Sequence, residues 1–157
     1  MNEFLRCTTS INCDSSIIQE KVNELIQDSM SEEEKARTLF NFVRDEIKYR
    51  IIMGLPTRED FIATNALKSG ASFCIPKAIL LTALLRAADI PARLRFADIR
   101  NLLLPSSVRD AISTDIMLYH GYVELFLDGK WIKVNPAFDK ALCERHDFIP
   151  VDFFGSG

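Results

Sequence analysis

The 157-residue chain reads as an α+β fold, with N-terminal helices and one central buried helix packed on an antiparallel sheet. Three observations carry that reading. Residues 16–28 and 31–47 each place apolar side chains at helical spacing between charges. The segment that opens at Cys74 is apolar on nearly every side, as a helix inside a core is. Asp128-Gly129 stands between two β-rich runs, and that dipeptide favours a two-residue hairpin turn. With 48% hydrophobic and 26% charged residues, the chain suits one compact domain spanning residues 1–157 around a single core.

Ile17, Ile18, Val22, Leu25 and Ile26 make the first stripe, and Ser16 followed by Gln19 fits a capping box. Ser31 with Glu34 repeats that signature ahead of Ala36, Leu39, Phe40, Val43 and Ile47. Glu32, Glu33 and Glu34 fall in the first turn, where the helix dipole favours negative charge. Residues 49–56 form a connector with Gly54 and Pro56 as breakers. Residues 60–68 predict a short helix stopped by Ser69-Gly70. Pro76 is tolerated only in a first helical turn, so the apolar helix begins within two residues of Cys74. Asp89 can take the left-handed stop position, and Pro91 closes the helix. Residues 92–99 predict a strand, with Leu94 and Phe96 alternating against Arg93 and Arg95. Residues 101–118 are long and mixed. They are expected to wall or lid a substrate cleft, or else to cover the sheet edge. Residues 141–157 carry no clear pattern.

A two-residue turn at Asp128-Gly129 sets the hairpin register by counting. Phe126 then faces Trp131, Leu125 faces Ile132, Val123 faces Val134 and Tyr122 faces Asn135. Val123, Leu125, Ile132 and Val134 form the core face. His120, Tyr122, Glu124, Phe126, Trp131, Lys133 and Asn135 share the other. His120 and Asn135 are diagonal neighbours there, roughly 7–8 Å apart at the backbone and within side-chain reach.

A formal net charge of -3 gives no reason to expect nucleic acid or an anionic membrane as partner. No signal-peptide core follows Met1, and the apolar run around residues 78–85 is too short to span a bilayer. A cytoplasmic protein is the expectation. The four cysteines, Cys7, Cys13, Cys74 and Cys143, are accordingly expected to be free thiols. No CxxC pair occurs and the two histidines lie far apart, so neither a structural zinc nor any other cofactor is expected.

A cysteine in a first helical turn faces unpaired backbone N–H groups and the positive end of the dipole, both of which favour the thiolate. Cys74 as nucleophile, His120 as base and Asn135 as orienter of the imidazole would suit acyl transfer on an amide bond. The thiol should then lie within hydrogen-bond reach of the ring. Each residue also has a plainer reading. Cys74 can be a small buried hydrophobe, His120 a satisfied structural histidine, Asn135 a turn residue before Pro136, and Phe126 with Trp131 a cross-strand pair.

The motifs in order resemble the transglutaminase-like superfamily. They are Ser72-Phe73-Cys74 with its Leu-rich helix, then Leu85-Arg86-Ala87-Ala88-Asp89-Ile90-Pro91-Ala92-Arg93. His120-Gly121-Tyr122-Val123-Glu124-Leu125 and Trp131-Ile132-Lys133-Val134-Asn135-Pro136 follow. The resemblance covers about residues 65–138 and implies a papain-like α+β core, with Cys74 as nucleophile, His120 as base and Asn135 where the family usually has Asp. Asp89 replaces the usual glycine before Ile-Pro. Asp139 is a substitute orienter beyond the hairpin register. The function implied is a thioester-forming cysteine protease, amidase or acyltransferase on a peptide or glutamine amide, with hydrolysis favoured over transamidation. The alternative is a catalytically silent domain of the same fold that binds a protein or peptide.

Overall fold

The computed structural model describes residues 1–100, 116–147 and 149–153. Helix α1 (Ser16–Leu25) buries Ile18 and Val22. Its Ser16–Gln19 capping box is not formed. Ser15 is the N-cap residue, and Gln19 Nε2 donates to the Cys13 carbonyl at 2.8 Å. Helix α2 (Glu32–Glu46) does carry its box. Ser31 Oγ accepts from Glu34 N–H at 3.2 Å, and the Glu34 carboxylate accepts from Ser31 N–H at 2.7 Å. The α2 stripe of Ala36, Leu39, Phe40 and Val43 is fully buried, as its spacing requires.

Strand β1 (Lys48–Tyr49) pairs in parallel with β2 (Ala71–Ser72), Tyr49 opposite Ser72. Between them, a 3-10 turn (Arg58–Phe61) and helix α3 (Ala63–Ser69) divide the single short helix expected there, and Gly70 ends α3 in the left-handed region. Helix α4 (Cys74–Ala87) begins at the expected residue. Residues 78–85 are all buried, and α4 packs against α1, α2 and α3 as well as the sheet. Its N-cap, Phe73, provides no side-chain hydrogen bond, a loss of about 1 kcal/mol. Each buried Leu of α4 contributes about 1.5–3 kcal/mol, so packing holds the helix and leaves its first N–H groups available. Asp89 follows at φ 59°.

Strands β3 (Ala92–Arg100), β4 (Ile116–Leu127) and β5 (Lys130–Val134) form an antiparallel sheet in that order. Asp128 and Gly129 both have positive φ, and the register is Val123 opposite Val134 and Phe126 opposite Trp131, as counted. β4 is longer than its alternating pattern. It starts at Ile116, and a bulge shifts its pairing with β3 between Ala97 and Ile99. Residues 116–118 therefore belong to a strand. The rest of the stretch expected to wall or lid the cleft, residues 101–115, lies outside the described residues. Helix α5 (Lys140–Arg145) is capped by Asp139, which accepts from Leu142 N–H at 2.9 Å.

Cys7 and Cys13 are joined in a disulfide, against the expectation of four free thiols; Cys74 and Cys143 are free. The short loop they close is stitched to α3, where Ala63 N–H donates to the Ser10 carbonyl at 2.9 Å and Asn12 bonds Thr64 at 3.0 Å. Ahead of it Phe4 packs edge-on to Trp131, with the Arg93 guanidinium 4.0 Å from the centre of the indole. The N-terminus thus covers the outer face of the sheet. No helix among the described residues is long and apolar enough to cross a membrane.

Lys77, one turn into α4, is fully buried and donates to the carbonyls of Arg44 (3.0 Å) and Ile47 at the end of α2. Burial pushes its pKa down to about 7, against the opposing pull of Asp139 and Asp45, while Lys48 and Arg44 lower it further. Between about pH 7 and the unfolded value of about 10.4, the unfolded chain binds more protons at this site, so Lys77 makes stability rise with pH there. Urea unfolding of wild type and Lys77→Met at pH 6.5, 8 and 9.5 is expected to show wild type gaining on the variant as pH rises. A constant difference across that range would contradict the depressed pKa.

Candidate active site

Cys74 opens α4 with no capping side chain above it. The backbone N–H groups of Gly121, Ile75 and Cys74 itself favour its thiolate form. The first belongs to β4, so strand and helix entrance meet here. Gly121 permits the meeting: a Cβ at that position would stand 3.0 Å from Ile75 Cα and 3.1 Å from Ile75 Cγ1. His120 precedes it and is 2% exposed.

The imidazole is oriented by Asn135. His120 Nε2 lies 3.1 Å from Asn135 Oδ1, and Ala137 N–H donates to the same oxygen at 3.2 Å. A backbone donor fixes that atom of the carboxamide as oxygen, which only accepts, so Nε2 carries the ring hydrogen. In the neutral ring Nδ1 is then a bare acceptor. It is buried, and it has no hydrogen-bond partner among the described residues. An orphaned buried acceptor costs about 1–3 kcal/mol, at least as much as the Asn135 bond returns.

His120 and Asn135 are therefore brought together, whereas Cys74 and His120 are not hydrogen-bonded to each other. The charge state also differs from the expected thiolate. Burial pushes the Cys74 thiol up, and the three N–H groups only partly oppose it. Burial likewise pushes His120 down, with the Asn135 bond opposing. Both shifts favour the uncharged forms, a thiol at Cys74 and a neutral imidazole at His120. Asp139, the substitute orienter, is occupied elsewhere, capping α5 and accepting from Tyr49 N–H at 2.9 Å.

Three neighbours escape a reading of the sequence. Tyr49 sits in a strand too short to show a period. Phe138, beyond Pro136, lies between Tyr49 (ring centroids 4.8 Å apart) and His120 (6.5 Å, stacked). Gly121 had an available signal, since a glycine inside a strand marks close backbone approach. A cavity of about 510 Å³ beside the β1–β2 pair includes Arg50, Asp60, Asn65 and Ser72, but none of Cys74, His120 or Asn135. Among the described residues no group of three or more His, Cys, Asp and Glu side chains is placed to hold a metal ion.

The model of the transglutaminase-like superfamily matches residues 19–136. The chain belongs to that superfamily. Its solved neighbours share the fold. A "putative cysteine protease" from Cytophaga hutchinsonii aligns at TM-score 0.65 and 20% identity over 86% of this chain and 41% of its own. A "putative protease" from Parabacteroides distasonis aligns at TM-score 0.54 and 18% identity, over 81% of this chain and 26% of its own. The periplasmic domain of TgpA from Pseudomonas aeruginosa, bound to ethylmercury, aligns at TM-score 0.53 and 19% identity, over 82% and 48%. The chain spans less than half the length of each of these structures. A comparison with curated proteins finds no match. The superfamily match and these neighbours agree on the transglutaminase-like fold.

Proposed function

We propose that this superfamily member is a thioester-forming enzyme acting on peptide or glutamine amide bonds, with Cys74 as nucleophile, His120 as base, Asn135 as orienter, and water as the usual acceptor. The observation that carries the reading is the buried, bare Nδ1 of His120. Its tautomer is set by Asn135, and His120 directly precedes Gly121, whose N–H favours the Cys74 thiolate. A buried imidazole nitrogen left without a hydrogen-bond partner among the described residues suits a general base. Residues 1–157 work as one catalytic unit in this reading. A cytoplasmic location draws no support from the Cys7–Cys13 disulfide, since such bonds persist in oxidising compartments.

A second reading, a silent domain that binds a protein or peptide, is favoured by the raised thiol and the missing Cys74–His120 hydrogen bond. Denatured casein, with Cys74→Ser as control, separates the readings. Cys74-dependent new N-termini, released ammonia or incorporation of a fluorescent primary amine would mark proteolysis, deamidation or transamidation. None of the three would overturn the enzymatic reading. Wild-type alkylation by iodoacetamide is expected to have a pH midpoint above that of a small free thiol. Asn135→Asp should raise the alkylation rate at pH 7 about tenfold, because a carboxylate on Nε2–H favours the imidazolium and through it the thiolate. An unchanged rate would mean that the imidazole and thiol are not coupled.

A further inference from the structure

Residues 1–6 lie against the sheet with little of their own to hold them there. Their 3-10 turn (Asn2–Leu5) contains no buried residue. Phe4 packs edge-on to Trp131 with ring centroids 4.9 Å apart, and the Arg93 guanidinium stands 5.5 Å from the centre of the Phe4 ring. Arg86, in the last turn of α4, donates to the Arg6 carbonyl. Contacts of this kind at a surface are each weak, and a chain terminus frays unless it is tied down. Here the tie is covalent. Cys7 ends the strap, and its disulfide partner Cys13 is 2% exposed. Cys13 is anchored in turn, its carbonyl accepting from Gln19 of α1 at 2.8 Å, while Ser10 and Asn12 between the two cysteines bond α3.

We infer that the Cys7–Cys13 disulfide is a redox latch on this N-terminal strap: closed, it holds Phe4 on Trp131, and reduction by a dithiol releases residues 1–6. The two sulfurs differ in access, since Cys7 is exposed and Cys13 buried. A thiolate of the dithiol attacks Cys7 Sγ, the Cys7–Cys13 bond breaks, and Cys13 leaves as a thiolate that takes up a proton. The second thiol then displaces Cys7 from the mixed disulfide. The dithiol is oxidised to a disulfide and the cystine is reduced to two thiols. Reduction moves the fixed point behind Phe4 from Cys7 to Ser10. That roughly doubles the tether and lowers the effective concentration of Phe4 at Trp131 about threefold. If the loop opens as well, release rises by up to about 50-fold. The strap uncovers Trp131 on β5, a strand that pairs only with β4 among the described residues and leads straight into Asn135. The latch thus controls the cover of the strand that presents the partner of the imidazole. It stands or falls independently of the acyl-transfer reading.

Chymotrypsin tests the latch, because cleavage after Phe4 needs that ring off Trp131 and, with rapid opening and closing, reports the released population. The full chain is compared as oxidised wild type, as wild type reduced with dithiothreitol and desalted, and as Cys7→Ser, a substitution at an exposed site that leaves the core intact. Loss of residues 1–4, followed by mass spectrometry, is expected to be at least about threefold faster in the reduced protein and in the variant than in the oxidised protein. Cleavage after Phe40, buried in α2, should be equally slow in all of them. A smaller rise after Phe4 would show that the surface contacts alone hold the strap, and would overturn the latch. A matching acceleration after Phe40 would overturn it too, since release would then belong to a general loosening of the fold.

Discussion

Replacing His120 by alanine is expected to lower Cys74-dependent acylation by p-nitrophenyl acetate about 10²–10⁴-fold. On the proposed mechanism the effect is large because Cys74 rests as a thiol, favoured by burial, and its proton needs an acceptor at the moment of attack. Nδ1 is a buried acceptor without a hydrogen-bond partner among the described residues. Stability should change little. The variant loses ring contacts such as the stack on Phe138, but it also loses an orphaned acceptor that costs about 1–3 kcal/mol. Free imidazole added to the variant should recover part of the rate by entering the space the side chain leaves. Acylation within about threefold of wild type, in a variant with an unchanged thermal midpoint, would remove His120 from the mechanism.

The second large effect is expected at Gly121, where the demand is steric. An added Cβ would meet Ile75 Cα at 3.0 Å and Cγ1 at 3.1 Å. The first of these is backbone of the helix that carries Cys74, so no rotamer change relieves it. Gly121→Ala is expected to destabilise the fold by about 1–3 kcal/mol, seen as a fall in thermal midpoint of about 3–10 °C for a chain of this size. Cys74 acylation should fall further than stability does, because separating β4 from α4 draws the Gly121 N–H off the sulfur and His120 away with it. Shortening the neighbour with Ile75→Ala should not rescue the double variant, since the clash with the helix backbone remains. Full rescue would show that the close approach is only a side-chain clash.

The parts of this fold legible in the sequence are those governed by local rules. The Asp128-Gly129 turn admits few registers, so counting outward puts Val123 opposite Val134 and brings His120 near Asn135. Pro76 and the apolar surround locate the start of α4. Features that depend on distant partners were not legible. Lys48 and Tyr49 form a strand only because Ala71 and Ser72 arrive beside them, and Asp139 serves Tyr49, ninety positions away. The Ser16–Gln19 box failed because the helix begins at Ser16 itself, with Ser15 as N-cap, and the Gln19 amide donates to the Cys13 carbonyl instead. The thiolate expectation counted the helix dipole and N–H donors but could not count desolvation, which outweighs them.

That balance has a consequence for oxidative chemistry. Peroxides and disulfides react with thiolates, and a thiol held in its protonated form by burial climbs the oxidation ladder slowly. Cys74 can thus remain reduced under the same conditions that keep Cys7 and Cys13 joined. A strongly acidic resting thiol would be the first group in the chain to be lost to sulfenic acid or to a mixed disulfide. On the proposed acyl-transfer mechanism, a thiol that ionises only as an acyl group arrives can coexist with a structural disulfide in one short chain.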